Sequence, residues 1–175
     1  MKARNVFITG ASSGIGKATA YKFAEYGDNL ILCARRKENL NEIAQDIKNK
    51  WRSHVHIYEL DVTNYEDVSS VVKDLEDKDI KIDILVNNAG ILEEGLKPID
   101  RFSDEDLDRI VETNEKGTMR CMRAAAQKMQ AGASIVNVAS IAGVKGCGGA
   151  AYVASKAAIV GVTKHTALRD RKSTR

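Results

Sequence analysis

Short apolar runs alternate along the chain with longer stretches of helical periodicity. Val6-Phe7-Ile8 and Leu30-Ile31-Leu32-Cys33 are apolar runs of strand length. Val55, Ile57 and Leu60 mark a third strand, Ile82-Asp83-Ile84-Leu85-Val86 a fourth, and Ile135-Val136-Asn137-Val138 a fifth. Helical stretches fill the gaps. One helix is predicted from about Ile15 to Tyr26, ended near Gly27. A second runs from Lys37 to Lys50, with Leu40, Ile43, Ala44 and Ile47 on one face. Val68, Val71, Val72 and Leu75 have helical spacing on an acidic segment. Another helix runs from Ser103 into the 120s, with Ser103 as N-cap and Asp106 at the third position. A last one begins near Ala150.

This alternation predicts right-handed crossovers and a parallel sheet with helices on both faces, an α/β doubly wound architecture. Ligands of such sheets bind beyond the carboxyl ends of the strands. The chemistry is therefore expected in the loops after Ile8, Cys33, Leu60, Val86 and Val138. No internal repeat, low-complexity stretch or linker interrupts the pattern, so residues 1–175 read as a single domain.

Composition narrows the classes. The 175 residues are 43% hydrophobic and 29% charged, the make-up of a globular domain rather than a disordered or coiled-coil chain. No apolar run is long enough to span a bilayer, so no membrane partner is expected. The N-terminus runs straight into a strand, which argues against a signal peptide. The net charge of +3 is unevenly placed: Lys164 to Arg175 holds five bases and one acid, and the rest is close to neutral. That distribution, without aromatic interleaving in the tail, argues against a nucleic-acid partner. Cys33, Cys121 and Cys147 are widely spaced and odd in number, so neither a disulfide framework nor a zinc site is expected, and free thiols fit a reducing cytoplasm. His54, His56 and Tyr58 alternate on one strand face, but no third metal ligand accompanies them, and an exposed face with no metal is the expectation. Trp51 reads as a packing anchor, His165 as a helix residue and Cys147 as a loop residue.

The turn after the first strand is Thr9-Gly10-Ala11-Ser12-Ser13-Gly14-Ile15-Gly16. Its glycines, spaced G-x-x-x-G-x-G, let the backbone approach a phosphate closely, and the following helix offers free N–H groups. Gly10, Ser12, Ser13, Gly14, Ile15 and Gly16 are thus candidate dinucleotide contacts. An acid after the second strand would hold the ribose 2′-hydroxyl of NAD. This chain has Arg35 and Arg36 there instead. Arg35 suits a 2′-phosphate, assisted by a serine of the turn. NADP(H) is therefore expected in preference to NAD(H).

The downstream motifs make a family recognisable. Asp61-Val62-Thr63 follows the third strand, and Asn87-Asn88-Ala89-Gly90 the fourth. Asn114 lies in the next helix, Ser140 follows the fifth strand, and Tyr152-Val153-Ala154-Ser155-Lys156 comes after it. In this order the set resembles the short-chain dehydrogenase/reductase family over almost the whole chain. The resemblance implies a Rossmann-like sheet in the order 3-2-1-4-5. It also implies that Asp61 and Val62 meet the adenine, and that Asn88, Ala89 and Gly90 line the adenosine ribose. Asn114, Ser140, Tyr152 and Lys156 would form the catalytic tetrad. Lys156 would also bind the nicotinamide ribose, and Asn114 would keep a water in a proton relay. A homo-oligomer built on the helices carrying Asn114 and Tyr152 is implied as well.

The physical reading of the pair agrees. Tyr152 and Lys156 stand at i and i+4 and share one helix face. A tyrosine titrates near 10, and a neighbouring ammonium favours its phenolate, so Tyr152 can exchange a proton with an alcohol or carbonyl oxygen. The Ser140 hydroxyl can hold the developing oxyanion.

Family members continue past this helix into further strands, a Pro-Gly turn and a substrate-closing loop. Here Arg175 comes first, so the sequence reads as C-terminally truncated. Five strands are expected, the fifth an unpaired edge. Residues 1–90 form the dinucleotide-binding half and 91–175 an incomplete catalytic half. The expected function is NADP(H)-dependent interconversion of a small-molecule alcohol and carbonyl. Gly95-Leu96-Lys97-Pro98-Ile99 resembles the subgroup that oxidises serine and small 3-hydroxy acids. The alternative is a non-catalytic dinucleotide-binding remnant, or a partner of intact relatives.

Overall fold

Neighbouring parallel strands need a crossover of a dozen or more residues, and each gap between strands of this chain holds one. The computed structural model describes residues 3–170. Strands β1 (Asn5–Thr9), β2 (Asn29–Ala34), β3 (Val55–Glu59), β4 (Ile84–Asn87) and β5 (Ser134–Asn137) form one sheet, ordered β3-β2-β1-β4-β5. All pairings are parallel, and β1 lies central with Val6 beside both Leu30 and Ile84. The expected strand order is the observed one. Strand ends move by one or two residues: Ile82 is buried ahead of β4, and Val138 follows β5.

Residue alternation sorts the strands onto two cores. Val6, Ile8, Leu30, Leu32, Ile84 and Val86 pack with α1 (Gly14–Glu25) and α2 (Lys37–Lys50) on one side. Phe7, Ile31, Cys33 and Leu85 pack with α3 (Tyr65–Asp77) and the later helix at Cys121, Met122 and Ala125 on the other. Each fully buried large side chain contributes ~1.5–3 kcal/mol. Exposed pairs such as Lys22 with Glu25 and Lys50 with Asp46 are screened by solvent and add little, so the two cores decide the fold. Trp51 anchors packing as expected, edge-on to Tyr21 with ring centroids 5.9 Å apart.

The helix expected from Ser103 is capped as read: Asp106 N donates to Ser103 Oγ at 3.2 Å. It is not one regular rod. α4 (Asp104–Ile110) widens into a π-helical stretch, Val111–Gly117, before α5 (Thr118–Ala126). Gly117, at the end of this stretch, passes so close to Val62 that a Cβ there would come within 2.7 Å of the Val62 side chain. A 3-10 turn (Glu94–Leu96) and a short helix α6 (Ala142–Lys145) fall in stretches with no periodic signal. The chain then enters α7 (Ala150–Asp170).

One expectation is corrected. The β3 face carrying His56 and Tyr58 is half-buried rather than exposed. α3 lies over it, Tyr58 packs against the α3 core, and its hydroxyl donates to Asp74 Oδ2 at 2.6 Å. Burial holds the His56 imidazole below its ordinary value. Among the described residues no three potential metal ligands come together.

β5 is covered unevenly. Ile135 packs on the α5 side, and Asn137 Nδ2 donates to Thr163 Oγ1 of α7 at 2.9 Å. Val136, pointing the other way, is 48% exposed. The outer edge of β5 pairs with no described strand. Of the basic tail, Lys164 and Arg169 are exposed on α7, while Arg171, Lys172 and Arg175 lie outside the described residues.

Candidate active site

The carboxyl ends of the strands open onto one cavity of about 480 Å³. Its walls come from the glycine turn, Ala34 to Arg36 after β2, Leu60 to Val62 after β3, Asn88 to Leu92 after β4, Val138 and Ala139 after β5, and Tyr152 and Lys156 of α7.

The glycine turn is built from two left-handed residues, Gly10 (φ 65°) and Gly14 (φ 52°), a conformation that favours glycine. A Cβ at Gly16 would overlap Gly10 O and Asn88 Nδ2, so the helix start sits directly on the turn. Asn88 locks this arrangement, with Nδ2 donating to Thr9 O at 3.1 Å and Gly10 O at 3.2 Å. Thr9 Oγ1 accepts from Asn88 N and Ala89 N, each at 3.0 Å. Ser13 precedes α1 without capping it, and the first turn of α1 holds no acid. The amides at this helix start are thus left without a side-chain cap, which suits an anion.

Arg36, rather than Arg35, reaches the turn. Its Nη2 donates to Ser12 Oγ at 3.2 Å and to Ser13 Oγ at 2.9 Å, so a guanidinium and two hydroxyls converge on one rim of the cavity. Arg35 also lines that rim. No carboxylate stands at the end of β2, where Ala34 leads directly into the two arginines. Asp61 Oδ1 accepts from Thr63 N at 2.9 Å and from Thr63 Oγ1 at 2.8 Å, which fixes the carboxylate at the wall beside Val62.

At the opposite end Lys156 is 6% exposed. Its Nζ donates to Val138 O at 2.9 Å and lies 5.7 Å from the Tyr152 ring centroid. Burial pushes the Lys156 ammonium below its ordinary value. Ser140 follows Val138 and Ala139, and its Oγ accepts from Ala142 N at 3.2 Å, capping the turn into α6. Asn114, 1% exposed in the π-helical stretch, stands one layer back. Its Oδ1 accepts from Ile91 N at 2.8 Å, and its Nδ2 donates to Ile91 O at 2.9 Å and Ser155 Oγ at 3.1 Å. The side chain is therefore fully engaged in holding the backbone after Gly90. Gly16 and Asn114 support the wall from behind and Gly14 is exposed in the turn, while the remaining candidate residues border or adjoin the cavity.

Sequence reading missed Thr9, Ile91, Leu92, Thr113 and Glu93. The first four follow the same strand ends or the Asn114 helix, and strand position alone could have found Thr9. Glu93 is a carboxylate 3% exposed, and nothing in the sequence marks an acid in a polar loop as buried.

A family model for the short chain dehydrogenases matches residues 4–173. The chain is 38% identical over 167 residues to the 3-oxoacyl-(acyl-carrier-protein) reductase FabG of Thermotoga maritima, covering 94% of this chain and 67% of that protein. It is 37% identical to the chloroplastic chlorophyll(ide) b reductase NOL of Arabidopsis thaliana, covering 91% of this chain and 47% of that one. The chain thus spans about half to two thirds of the length of these relatives. Among solved structures, an alcohol dehydrogenase of the archaeon Thermococcus sibiricus, complexed with 5-hydroxy-NADP, superposes with a TM-score of 0.91 at 26% identity, over 96% of this chain and 72% of that one. An NAD+-bound xylitol dehydrogenase superposes with a TM-score of 0.89 at 34% identity, over 95% of this chain and 64% of that one. With its sheet order, glycine turn and Tyr-x-x-x-Lys helix at one cavity, the chain belongs to the short-chain dehydrogenase/reductase family of oxidoreductases.

Proposed function

We propose that this protein is an NADP(H)-dependent oxidoreductase that interconverts an alcohol and a carbonyl. The observation that carries the reading is the meeting, in one cavity, of the glycine turn with Arg36 at one end and the Tyr152–Lys156 pair at the other. The chain's own groups fit a dinucleotide: close-approach glycines, an uncapped helix start, and a guanidinium with two serine hydroxyls where an acid would select NAD. When bound, the nicotinamide supplies or takes the hydride. In the reducing direction Tyr152 gives its phenolic proton to the carbonyl oxygen, and the Ser140 hydroxyl holds that oxygen as charge develops. Lys156 holds the nicotinamide ribose, and Asn114 acts through the Ile91 backbone that it clamps.

The substrate class is a 3-hydroxy or 3-oxo acid derivative. The Gly95–Ile99 segment favours a small free acid such as serine. The identity to a 3-oxoacyl reductase and the apolar Leu92, 57% exposed at the cavity, favour an acyl thioester. We place the protein in a reducing cytoplasm, on its free Cys33, Cys121 and Cys147. A homo-oligomer forms through the helices carrying Asn114 and Tyr152. The groove between α5 and α7, lined by Met119, Met122, Ile135 and Val162, supports that assembly.

The test is to titrate the purified chain with NADPH and NADH, then to follow nicotinamide absorbance with small hydroxy acids, ketones and acyl thioesters. The expected result is tighter NADPH binding, lost in Arg36→Ala, and turnover that falls by about a hundredfold or more in Tyr152→Phe. NADH binding as tight as NADPH binding refutes the cofactor reading. Turnover that survives Tyr152→Phe refutes the acid–base role, and cofactor binding without any turnover favours the non-catalytic alternative.

A further inference from the structure

The helix that carries Tyr152 and Lys156 begins without a cap of its own. Gly149 stands immediately before α7 and has no side-chain oxygen to accept from the first-turn amides, the task that serine, threonine, asparagine or aspartate performs at most helix starts. Two groups from the 93–97 loop stand in. Lys97 O accepts from Ala150 N at 3.2 Å, and Glu93 Oε2 accepts from the amide of Tyr152 itself at 3.0 Å. The Glu93 carboxylate occupies the space above Gly149 so fully that a Cβ there would overlap its Oε1. It is enclosed, and Oε1 has no hydrogen-bond partner. A charge buried this way is costly unless something favours it. The positive end of the long α7 helix does so. Lys97, tied to Asp106 Oδ2 at 2.6 Å, anchors the same loop to the start of α4.

We propose that Glu93 is a positioning residue: a cap supplied from outside the helix that fixes the main chain of Tyr152 and so the reach of its phenol toward the cavity. The proposal rests on the oxidoreductase reading of Tyr152. It also explains why position 149 is glycine, since the cap and a side chain at 149 compete for one space.

The same competition supplies the test. Glu93→Ala removes the cap, and Gly149→Ser added to it restores one from within the helix. In tyrosine-labelled protein, with the Tyr152 signal identified by Tyr152→Phe, the Glu93→Ala variant should shift or broaden the Tyr152 ring resonance and leave those of Tyr21 and Tyr58 in place. The Tyr152 amide should exchange about fivefold faster or more, with the amides near Ile159 unchanged. Both signatures should return in the double variant, and in Glu93→Gln the amide should stay protected because the carboxamide oxygen still accepts. An unmoved Tyr152 ring and amide in Glu93→Ala, uniform loosening of all α7, or no return in the double variant overturns the proposal. If Glu93→Ala alone does not fold, recovery of a folded chain in the double variant supports the cap, and failure to recover overturns it. NADPH binding by the parent chain, measured on the same samples, separates the two levels. A parent that binds no dinucleotide refutes the oxidoreductase reading, whereas a binding parent with unmoved Tyr152 signals refutes the cap alone.

Discussion

Burial works against the charge on Lys156. Its ammonium is held below the ordinary lysine value of 10.5 by desolvation, and it donates to Val138 O. The unfolded chain therefore binds this proton more tightly than the folded one. The fold carries the cost of the charge at neutral pH and sheds it as pH rises through the folded value towards 10.5. Lys156→Met should abolish turnover yet be at least as stable as the parent in urea unfolding at neutral pH, with its advantage shrinking as pH rises. Stability below the parent at neutral pH would show that the bond to Val138 outweighs the burial cost. At this scale the sequence was legible where chemistry depends on spacing within one element, as for Tyr152 and Lys156 at i and i+4. It was not legible where a loop's path decides. Arg35 and Arg36 are adjacent, and only the backbone direction after β2 aims Arg36 at Ser12 and Ser13. Asn114 reads as a polar helix residue until Ile91 is brought against it.

Helix starts follow local rules, and the two clearest here were readable or nearly so. Ser103 caps α4 through Asp106 N, and Asn64 caps α3 through Glu66 N at 2.9 Å. Ser103→Ala should cost ~1 kcal/mol, read as a lower urea midpoint with an unchanged slope, since no buried surface is lost. A change near zero would mean that the acids following Ser103 already satisfy the helix start. Elements whose form depends on partners were less legible. The π-helical stretch lies inside a segment of ordinary helical periodicity, and it ends at Gly117, where Val62 from across the molecule leaves no room for a side chain. The face of β3 carrying His56 and Tyr58 read as exposed because its polar alternation is that of a solvated edge, whereas α3 covers it.

For the whole molecule, the parallel sheet and the convergence of five loops on one cavity follow from the alternation of elements, because parallel crossovers have one hand and ligands meet such sheets at the carboxyl ends of the strands, while the order β3-β2-β1-β4-β5 was implied by the family resemblance. What alternation does not convey is how firmly each strand is held. β1 is paired on both edges, while β5 is four residues long, pairs with β4 alone among the described strands, and leaves Val136 bare. Yet the backbone that continues β5 supplies the carbonyl that receives Lys156, and the next residues lead to Ser140. The most demanding geometry thus hangs from the least supported strand, so warming should silence the protein before it melts. Dinucleotide affinity is expected to drop several degrees below the transition seen by circular dichroism, with amides of Ile135 and Val138 exchanging ahead of those of Phe7 and Ile31. Coincident loss of binding and of helix signal would mean that β5 opens only with the rest of the sheet. A gap between the two would make the working temperature of the protein a property of its margin, not of its core.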